Sequence, residues 1–188
     1  MDILDLFERG TAWTATKVAG ATDAQDAQTP CDEWNVRRLI DHLLWGQQMF
    51  AAGPAGGRVA PPTEPPPELV GDEPASQYED ARKATLHAYQ QPGALDGMVK
   101  GSQGDVPAMM ILGIAFSDNL IHGWDLAKAT GQDATIPEDL AEAAFALMNG
   151  RVPDDARGPG KNFKAVVPVP DDASVQDKLI AYLGRDPR

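Results

Sequence analysis

The strongest constraint on the fold is an uninterrupted helical pattern that begins at Pro107 and runs to Thr130. Proline is tolerated in the first helical turn, and Gly131 stands where a left-handed residue ends a helix. At about 1.5 Å per residue, this segment predicts a helix of about 36 Å, the longest in the chain. Apolar residues occur on both of its sides, which predicts that the helix is central.

Shorter stretches with helical spacing surround this segment. They are predicted at 2–20, 34–50, 75–91, 138–149 and 175–183. Asn35 is a good N-cap, and Trp34 before it is placed to pack on Leu39. The pattern predicts an all-α fold, an antiparallel bundle of four main helices, in a single domain spanning 1–188.

Several segments lack helical spacing, among them a glycine-rich connection before Pro107 that contains Gly93, Gly97, Gly101 and Gly104. Residues 53–74 contain seven prolines and four glycines, which predicts an irregular surface loop. A C-terminal extension is predicted from 151 to 188, with one small strand at 164–169 and the terminal helix after it.

Composition limits the partners and the compartment. The 188-residue chain has a formal net charge of −12, which disfavours binding to nucleic acid and to anionic membrane surfaces. Its longest apolar stretch, Val106 to Phe116, is shorter than the roughly 20 residues of a membrane span. A single cysteine excludes an intrachain disulfide, and the N-terminus lacks the positive flank of a signal peptide. These features predict a cytoplasmic protein.

Three ionisable residues share one stripe of the long helix. Asp118 and His122 are four positions apart, and Asp125 follows three positions later. Ile111 and Ile114 fall on the same stripe, so it is predicted to face the interior. Buried ionisable groups need a partner, and a divalent metal is one such partner.

His42 is the candidate third ligand, because its helix places it on an inward face with Leu39 and Trp45. Two histidines and one carboxylate suit Zn²⁺, Ni²⁺ or Fe²⁺ and leave positions open for water or substrate. From the spacing alone, simpler alternatives are more common than a metal site. Asp118 and His122 would then be a buried hydrogen-bonded pair, and His42 a core histidine.

Several neighbouring residues have a structural interpretation of their own. Asp125 is predicted to orient the side chain of His122 or Trp124 without binding the metal itself, or to be solvated. Cys31 lies 11 residues before His42, about 16 Å along a helix, which predicts a small buried side chain remote from the metal. Trp45 and Trp124 are predicted core residues, with a position lining a pocket as the alternative. His87 is a conceivable extra ligand, but only His42, Asp118 and His122 form the predicted set.

Several motifs resemble one known family. They are Thr29-Pro30-Cys31, Trp34-Asn35-Val36-Arg37, His42-Leu43, Asp118 with His122-Gly123-Trp124-Asp125-Leu126-Ala127, Thr130-Gly131, Pro168-Val169-Pro170 and Leu183-Gly184-Arg185-Asp186-Pro187. In this order they resemble the actinobacterial DinB-like metal-binding proteins, relatives of the N-terminal domain of mycothiol-dependent maleylpyruvate isomerase. The resemblance covers nearly the whole chain.

The resemblance implies a DinB-type four-helix bundle that binds a divalent metal, with zinc favoured over nickel or iron. Carried onto this chain, its ligands are His42, Asp118 and His122, with Asp118 in the place of a glutamate in the isomerase branch. The relatives act on or with low-molecular-weight thiols such as mycothiol or bacillithiol, and a homodimer is implied as well.

Two classes of function follow from the resemblance. One is a metal-dependent thiol transferase or isomerase-like enzyme acting on small electrophiles, with mycothiol as co-substrate. The other is a non-catalytic metal-binding protein, a sensor or carrier. A metal-free helical interaction protein is a third possibility, and no catalytic residue is assigned.

Overall fold

The computed structural model describes residues 2–31, 34–60, 67–102, 104–159, 161 and 163–188. The helices in these ranges are α1 (Ile3–Ala21), α2 (Val36–Ala52), α3 (Pro74–Tyr89), α4 (Ala108–Thr130), α5 (Glu138–Met148) and α6 (Val175–Tyr182). Strands β1 (Met98–Lys100) and β2 (Asp105–Pro107) pair antiparallel. The contacts define two compact units, Met1–Ala134 and Thr135–Arg188. The prediction of a single domain stays a prediction.

The helix boundaries follow the signals in the sequence. The Asn35 side chain accepts a hydrogen bond from the Arg38 backbone N–H and caps α2. Gly131 has a φ of 68° and ends α4 in the left-handed conformation that glycine adopts most easily. The predicted all-α class, with its four-helix bundle and C-terminal extension, is confirmed. Within the described ranges, no helix combines the length and the apolar character that crossing a bilayer requires.

The first unit is a four-helix bundle in which α1 and α2 each pack against both α3 and α4. Along α1 and α4, Thr14 meets Asn119 and Lys17 meets Gln132, so these two helices run parallel. The predicted antiparallel arrangement is therefore wrong for this pair. Short loops favour an antiparallel arrangement of the helices that they join. The connection from α2 to α3 is long, so it does not impose that arrangement.

One residue links all four helices of this bundle. The Asn119 side-chain oxygen accepts hydrogen bonds from Gln47 Nε2 of α2 at 2.8 Å and from the Tyr78 hydroxyl of α3 at 2.6 Å. The Asn119 carbonyl accepts a hydrogen bond from the Thr14 hydroxyl of α1 at 2.9 Å. Because Asn119 directly follows Asp118, this network also fixes the position of Asp118.

The connection from α2 to α3 contains neither helix nor strand in its described parts, 53–60 and 67–73. The irregular loop over 53–74 stays a prediction. The prediction for 61–66 lies outside the described residues. Asp41, fully buried on α2, accepts hydrogen bonds from the backbone N–H groups of Leu69 and Val70 at 2.6 and 2.8 Å. This carboxylate anchors the end of the loop beside His42.

The second unit contains α5 and α6, which pack against each other. Residues 164–169, predicted as a strand, have no strand assignment. Val167 donates one backbone hydrogen bond to Ala181 of a helix, and Pro168 supplies no N–H for a ladder. The two-stranded sheet lies instead at 98–107, a glycine-containing stretch that the sequence predicted only as a connection.

Candidate metal centre and adjoining cavity

The structure brings the three predicted ligands together from two neighbouring helices. His42 projects from α2, and Asp118 and His122 project from α4. The Asp118 Oδ1 atom lies 3.5 Å from His42 Nε2 and 3.4 Å from His122 Nε2. One donor atom from each residue lies within 4.8 Å of the others.

These distances are long for hydrogen bonds but suit atoms that share an ion. Hydrogen bonds of this kind are usually about 2.7–3.2 Å long. Two ligand atoms about 2.0–2.1 Å from a tetrahedral Zn²⁺ are about 3.3–3.4 Å apart. The two measured distances, 3.5 and 3.4 Å, lie close to that separation.

The His42 ring provides a second sign that the cluster suits a cation. His42 is 4% exposed, and its Nδ1 atom is buried without a hydrogen-bond partner among the described residues. Its other nitrogen has the 3.5 Å contact with Asp118. The long contact leaves Nε2 without a good hydrogen bond, so an ion bound there would provide the interaction that Nε2 lacks. Nδ1 would remain without a partner among the described residues.

His122 is held through its second nitrogen. His122 Nδ1 lies 3.0 Å from Asp125 Oδ2, and Asp125 is fully buried. The Cys31 thiol donates to the same carboxylate oxygen at 3.3 Å, and its sulfur lies 3.9 Å from His122 Nδ1. The contact with His122 agrees with the predicted orienting position of Asp125, and burial rules out the alternative of a solvated Asp125.

The loop before α2 places Cys31 and Trp34 beside the two histidines. The Thr29 hydroxyl donates to the Trp34 carbonyl at 2.7 Å and accepts from the Cys31 N–H at 3.1 Å. The Trp34 ring centroid lies 4.8 Å from that of His42 and 6.1 Å from that of His122. Cys31 and Trp34 therefore cover one side of the site, and Thr29 holds them in place, a role that the sequence did not predict for any of the three.

The charges of the cluster depend on one another. Burial alone would raise the pKa of Asp118, but the neighbouring His42 and His122 hold that pKa well below its usual range. Burial alone would lower the pKa of His122, but Asp118, Asp125 and Cys31 raise it well above its usual value. The cluster thus favours an ionised Asp118 next to a positive charge.

A cavity of about 460 Å³ adjoins the cluster. His42 and Asp118 lie in its wall, and the side chain of Asp118 is 28% exposed. The rest of the wall comes from α2, the start of α4, the loop after α2, strand β2 and the turn that precedes it. A cavity of this volume is in the range that binds small molecules.

Three sequence predictions about this region are wrong. Cys31 is not remote, because α2 begins only at Val36 and the Cys31 sulfur lies 3.9 Å from His122 Nδ1. Ile114 is 46% exposed, because the cavity lies against this part of the stripe, whereas Ile111 on the same stripe is buried as predicted. Trp45 also lines the cavity, whereas Trp124 is a core residue as predicted.

His87, the conceivable extra ligand, lies apart from the cluster. It is exposed on α3, and its ring nitrogen lies 3.2 Å from the Gln91 amide. Asn119 and Asp41, which hold the two ligand-bearing helices in place, were not predicted from the sequence. In the sequence, the one feature that pointed to them is that each is a polar residue next to a predicted ligand, Asp41 before His42 and Asn119 after Asp118.

The fold and the cluster define a class: a four-helix bundle with two histidines and a carboxylate at metal-ligand spacing, next to a small-molecule cavity. The profile of the family described as mycothiol maleylpyruvate isomerase N-terminal domain matches residues 7–127. The chain belongs to this family.

Full-length relatives and solved structures agree with that assignment. Two uncharacterized proteins of Mycobacterium tuberculosis, one from strain CDC 1551/Oshkosh and one from strain H37Rv, are each 34% identical over 190 residues and are covered completely, as is this chain. The crystal structure of the mycothiol-dependent maleylpyruvate isomerase matches with a TM-score of 0.55 at 20% identity, covering 76% of this chain and 68% of that chain. A histidine-to-alanine mutant of that enzyme matches with a TM-score of 0.56 at 19% identity over the same shares. At these identities the two crystal structures establish a common fold.

Proposed function

We propose that this chain binds a divalent metal, with zinc preferred over nickel or iron, through His42, Asp118 and His122. The observation that carries the proposal is the separation of 3.4–3.5 Å between Asp118 Oδ1 and the two histidine nitrogens. Family membership and the match to a mycothiol-dependent isomerase support it.

A second set of donors shares His122. Cys31, His122 and Asp125 also lie close enough to hold an ion. In that set Asp125 is fully buried, and none of the three lines the cavity. In the proposed set, His42 and Asp118 both face the cavity, which leaves room for a reacting molecule.

We propose further that the site serves a metal-dependent transferase or isomerase-like enzyme, with a low-molecular-weight thiol of the mycothiol type as co-substrate. His42, His122 and Asp118 would hold the ion, and Asp125 would orient the His122 ring. When bound, the ion would supply a lowered pKa for a coordinated thiol, which would react as the thiolate with an electrophile in the adjoining cavity. A homodimer and a cytoplasmic location stay predictions of the sequence.

Metal content is the first test. Protein purified without a histidine tag is expected to contain one equivalent of metal by elemental analysis, and the His42→Ala variant to contain almost none. His87→Ala is the matched control, because His87 is exposed on α3, and it should keep the full equivalent. Equal metal in wild type and His42→Ala would refute the proposed ligand set.

The thiol is tested on Co²⁺-substituted protein. Adding mycothiol should produce a sulfur-to-metal charge-transfer band, and thiol consumption should follow when electrophiles are supplied. A band without turnover across the panel of electrophiles would favour a metal sensor or carrier. Absence of the band would contradict thiol binding at the ion.

A further inference from the structure

The wall of the cavity is strongly apolar. Apart from the two ligand residues, it is built mainly from large hydrophobic side chains that surround the space from several elements. The principal ones are Trp45, Met49, Phe50, Val59, Met110 and Ile114. Such a wall favours ligands that bury apolar surface.

The charges in the wall are acidic apart from the imidazole. Among the described residues that line the cavity, the ionisable side chains are His42, Asp105 and Asp118, and none is a lysine or arginine. The stretches outside the described residues contain no lysine or arginine in the sequence either. Within the part of the chain that the structure describes, the cavity therefore lacks a lysine or arginine side chain that could pair with the carboxylate of a ligand.

The cations adjacent in sequence to the wall are exposed. Arg58 precedes the wall residue Val59, and its guanidinium donates to the Ser102 carbonyl at 3.1 Å. Lys100 precedes the wall residue Gly101. Both side chains belong to exposed residues, and neither lines the cavity.

This arrangement discriminates between two kinds of substrate. Burying a carboxylate in an apolar wall without a cationic partner is strongly unfavourable, and the carboxylates of Asp105 and Asp118 repel it further. An ion held by the proposed ligands can accept one anionic group, but a second carboxylate would have no partner. A neutral apolar molecule would bury no unpaired charge and would not be repelled by these two carboxylates.

We propose that this cavity selects a neutral, largely apolar electrophile and rejects dicarboxylates. As a statement about substrate, the inference rests on the proposed function. The selectivity of the cavity itself depends only on its walls, so it can be tested on protein from which metal has been removed.

The test uses two dyes of the same scaffold that differ by one charge. N-phenyl-1-naphthylamine is neutral, and 8-anilinonaphthalene-1-sulfonate carries a sulfonate. With chelator-treated full-length protein, fluorescence titration is expected to give at least about tenfold tighter binding of the neutral dye. Comparable or tighter binding of the sulfonate, or no binding of either dye, would overturn the proposal.

Two lysine substitutions on α4 test whether the preference for the neutral dye arises in this cavity. Ile114→Lys places a cation in the cavity wall at a position that is 46% exposed, so it should shift the preference toward the sulfonate by at least about tenfold. Met109→Lys is the matched control, because Met109 is 55% exposed and does not line the cavity, and it should leave the preference unchanged. Equal effects of the two variants would contradict the assignment to this cavity.

Repeating the titration at a tenfold higher protein concentration separates a small ligand from a protein partner. Dye affinity that is independent of protein concentration supports the proposal. Loss of dye binding at the higher concentration would assign the apolar wall to contact with a second copy of the chain and would overturn it. Because no metal is present, these outcomes are independent of whether the proposed metal site is correct.

Discussion

His122 uses both of its ring nitrogens. Nε2 faces Asp118 at 3.4 Å, and Nδ1 faces Asp125 at 3.0 Å. Metal-binding histidines commonly donate their second N–H to a carboxylate, which fixes the ring and its tautomer. Asp125 therefore has a different task from Asp118, although both are aspartates on the same stripe.

Replacing Asp125 should weaken metal binding without abolishing it. Asp125→Asn keeps an acceptor for His122 but removes the charge, so zinc affinity is expected to fall about 10–100-fold while one equivalent still binds at saturation. Competition with a chromophoric zinc chelator measures this.

Cys31→Ser is the companion variant. It preserves a small polar side chain next to Asp125 and should change zinc affinity by less than about tenfold. Complete loss of zinc in Cys31→Ser would instead place the ion between Cys31, His122 and Asp125.

The sequence allowed prediction of the ligand-bearing stripe but not of its surroundings. Asp118, His122 and Asp125 follow helical spacing on one continuous helix, so their common face was predictable. Cys31 and Trp34 reach the same site through a loop held by Thr29, and a loop has no periodicity from which to predict direction. Ile114 lies on the stripe but faces the cavity, because periodicity specifies the face and not what covers it.

Among the helices, α1 and α4 pack most closely where glycines replace side chains. A Cβ atom at Gly123 would lie 2.7 Å from a ring carbon of Trp13 and 2.8 Å from the Thr14 hydroxyl. Thr14 cannot easily move, because its hydroxyl is within hydrogen-bond distance of the carbonyl oxygens of Gly10 and Asn119, to which it donates. Gly123 is thus required by the close approach of the two helices.

Gly123→Ala should destabilise the protein although alanine favours helices. The overpacking cost of about 1–3 kcal/mol exceeds the roughly 1 kcal/mol gained in helix propensity. Gly46→Ala on α2 is the control, because a Cβ there would have ordinary contacts of 3.6 Å with Phe50, and its stability should be unchanged or higher. Urea denaturation measures both, and a Gly123→Ala variant as stable as wild type would contradict the packing argument.

The sequence predicted where helices begin and end better than it predicted whether neighbouring helices run parallel or antiparallel. Asn35 and Gly131 mark ends through chemistry confined to a few residues. The parallel course of α1 and α4 depends on contacts such as Thr14 with Asn119, which are 105 positions apart in the chain. The hairpin of β1 and β2 escaped prediction because three-residue strands are too short for an alternating pattern.

At the scale of the whole bundle, Asn119 is the shared hydrogen-bonding partner of α1, α2 and α3. Its side-chain oxygen accepts hydrogen bonds from Gln47 Nε2 and from the Tyr78 hydroxyl, and both residues are fully buried. Burial is the largest influence on the Tyr78 hydroxyl and raises its pKa far above the ordinary value, so this group stays neutral and needs an acceptor. Losing that acceptor would leave buried donors unpaired.

Asn119→Ala is expected to cost about 2–6 kcal/mol, because two buried donors lose their acceptor at roughly 1–3 kcal/mol each. Ser117→Ala is the control on the same helix, since among the described residues the Ser117 hydroxyl donates just to the Gly113 carbonyl of its own helix. Its cost should stay below about 1 kcal/mol. Chemical denaturation followed by circular dichroism compares them. Equal stability of the two variants would show that Asn119 does not link the bundle.

The separation of His42 and Asp118 along the chain has a thermal consequence. They lie 76 positions apart, so an ion bound by both ties α2 to α4 like a reversible cross-link. At free zinc about 100-fold above its dissociation constant, the folded form gains about 2.7 kcal/mol. The melting temperature should then rise by about 5–10 °C with zinc and fall again with chelator, but stay constant in His42→Ala. In a cell, the lifetime of such a protein would follow the supply of the metal as closely as it follows temperature.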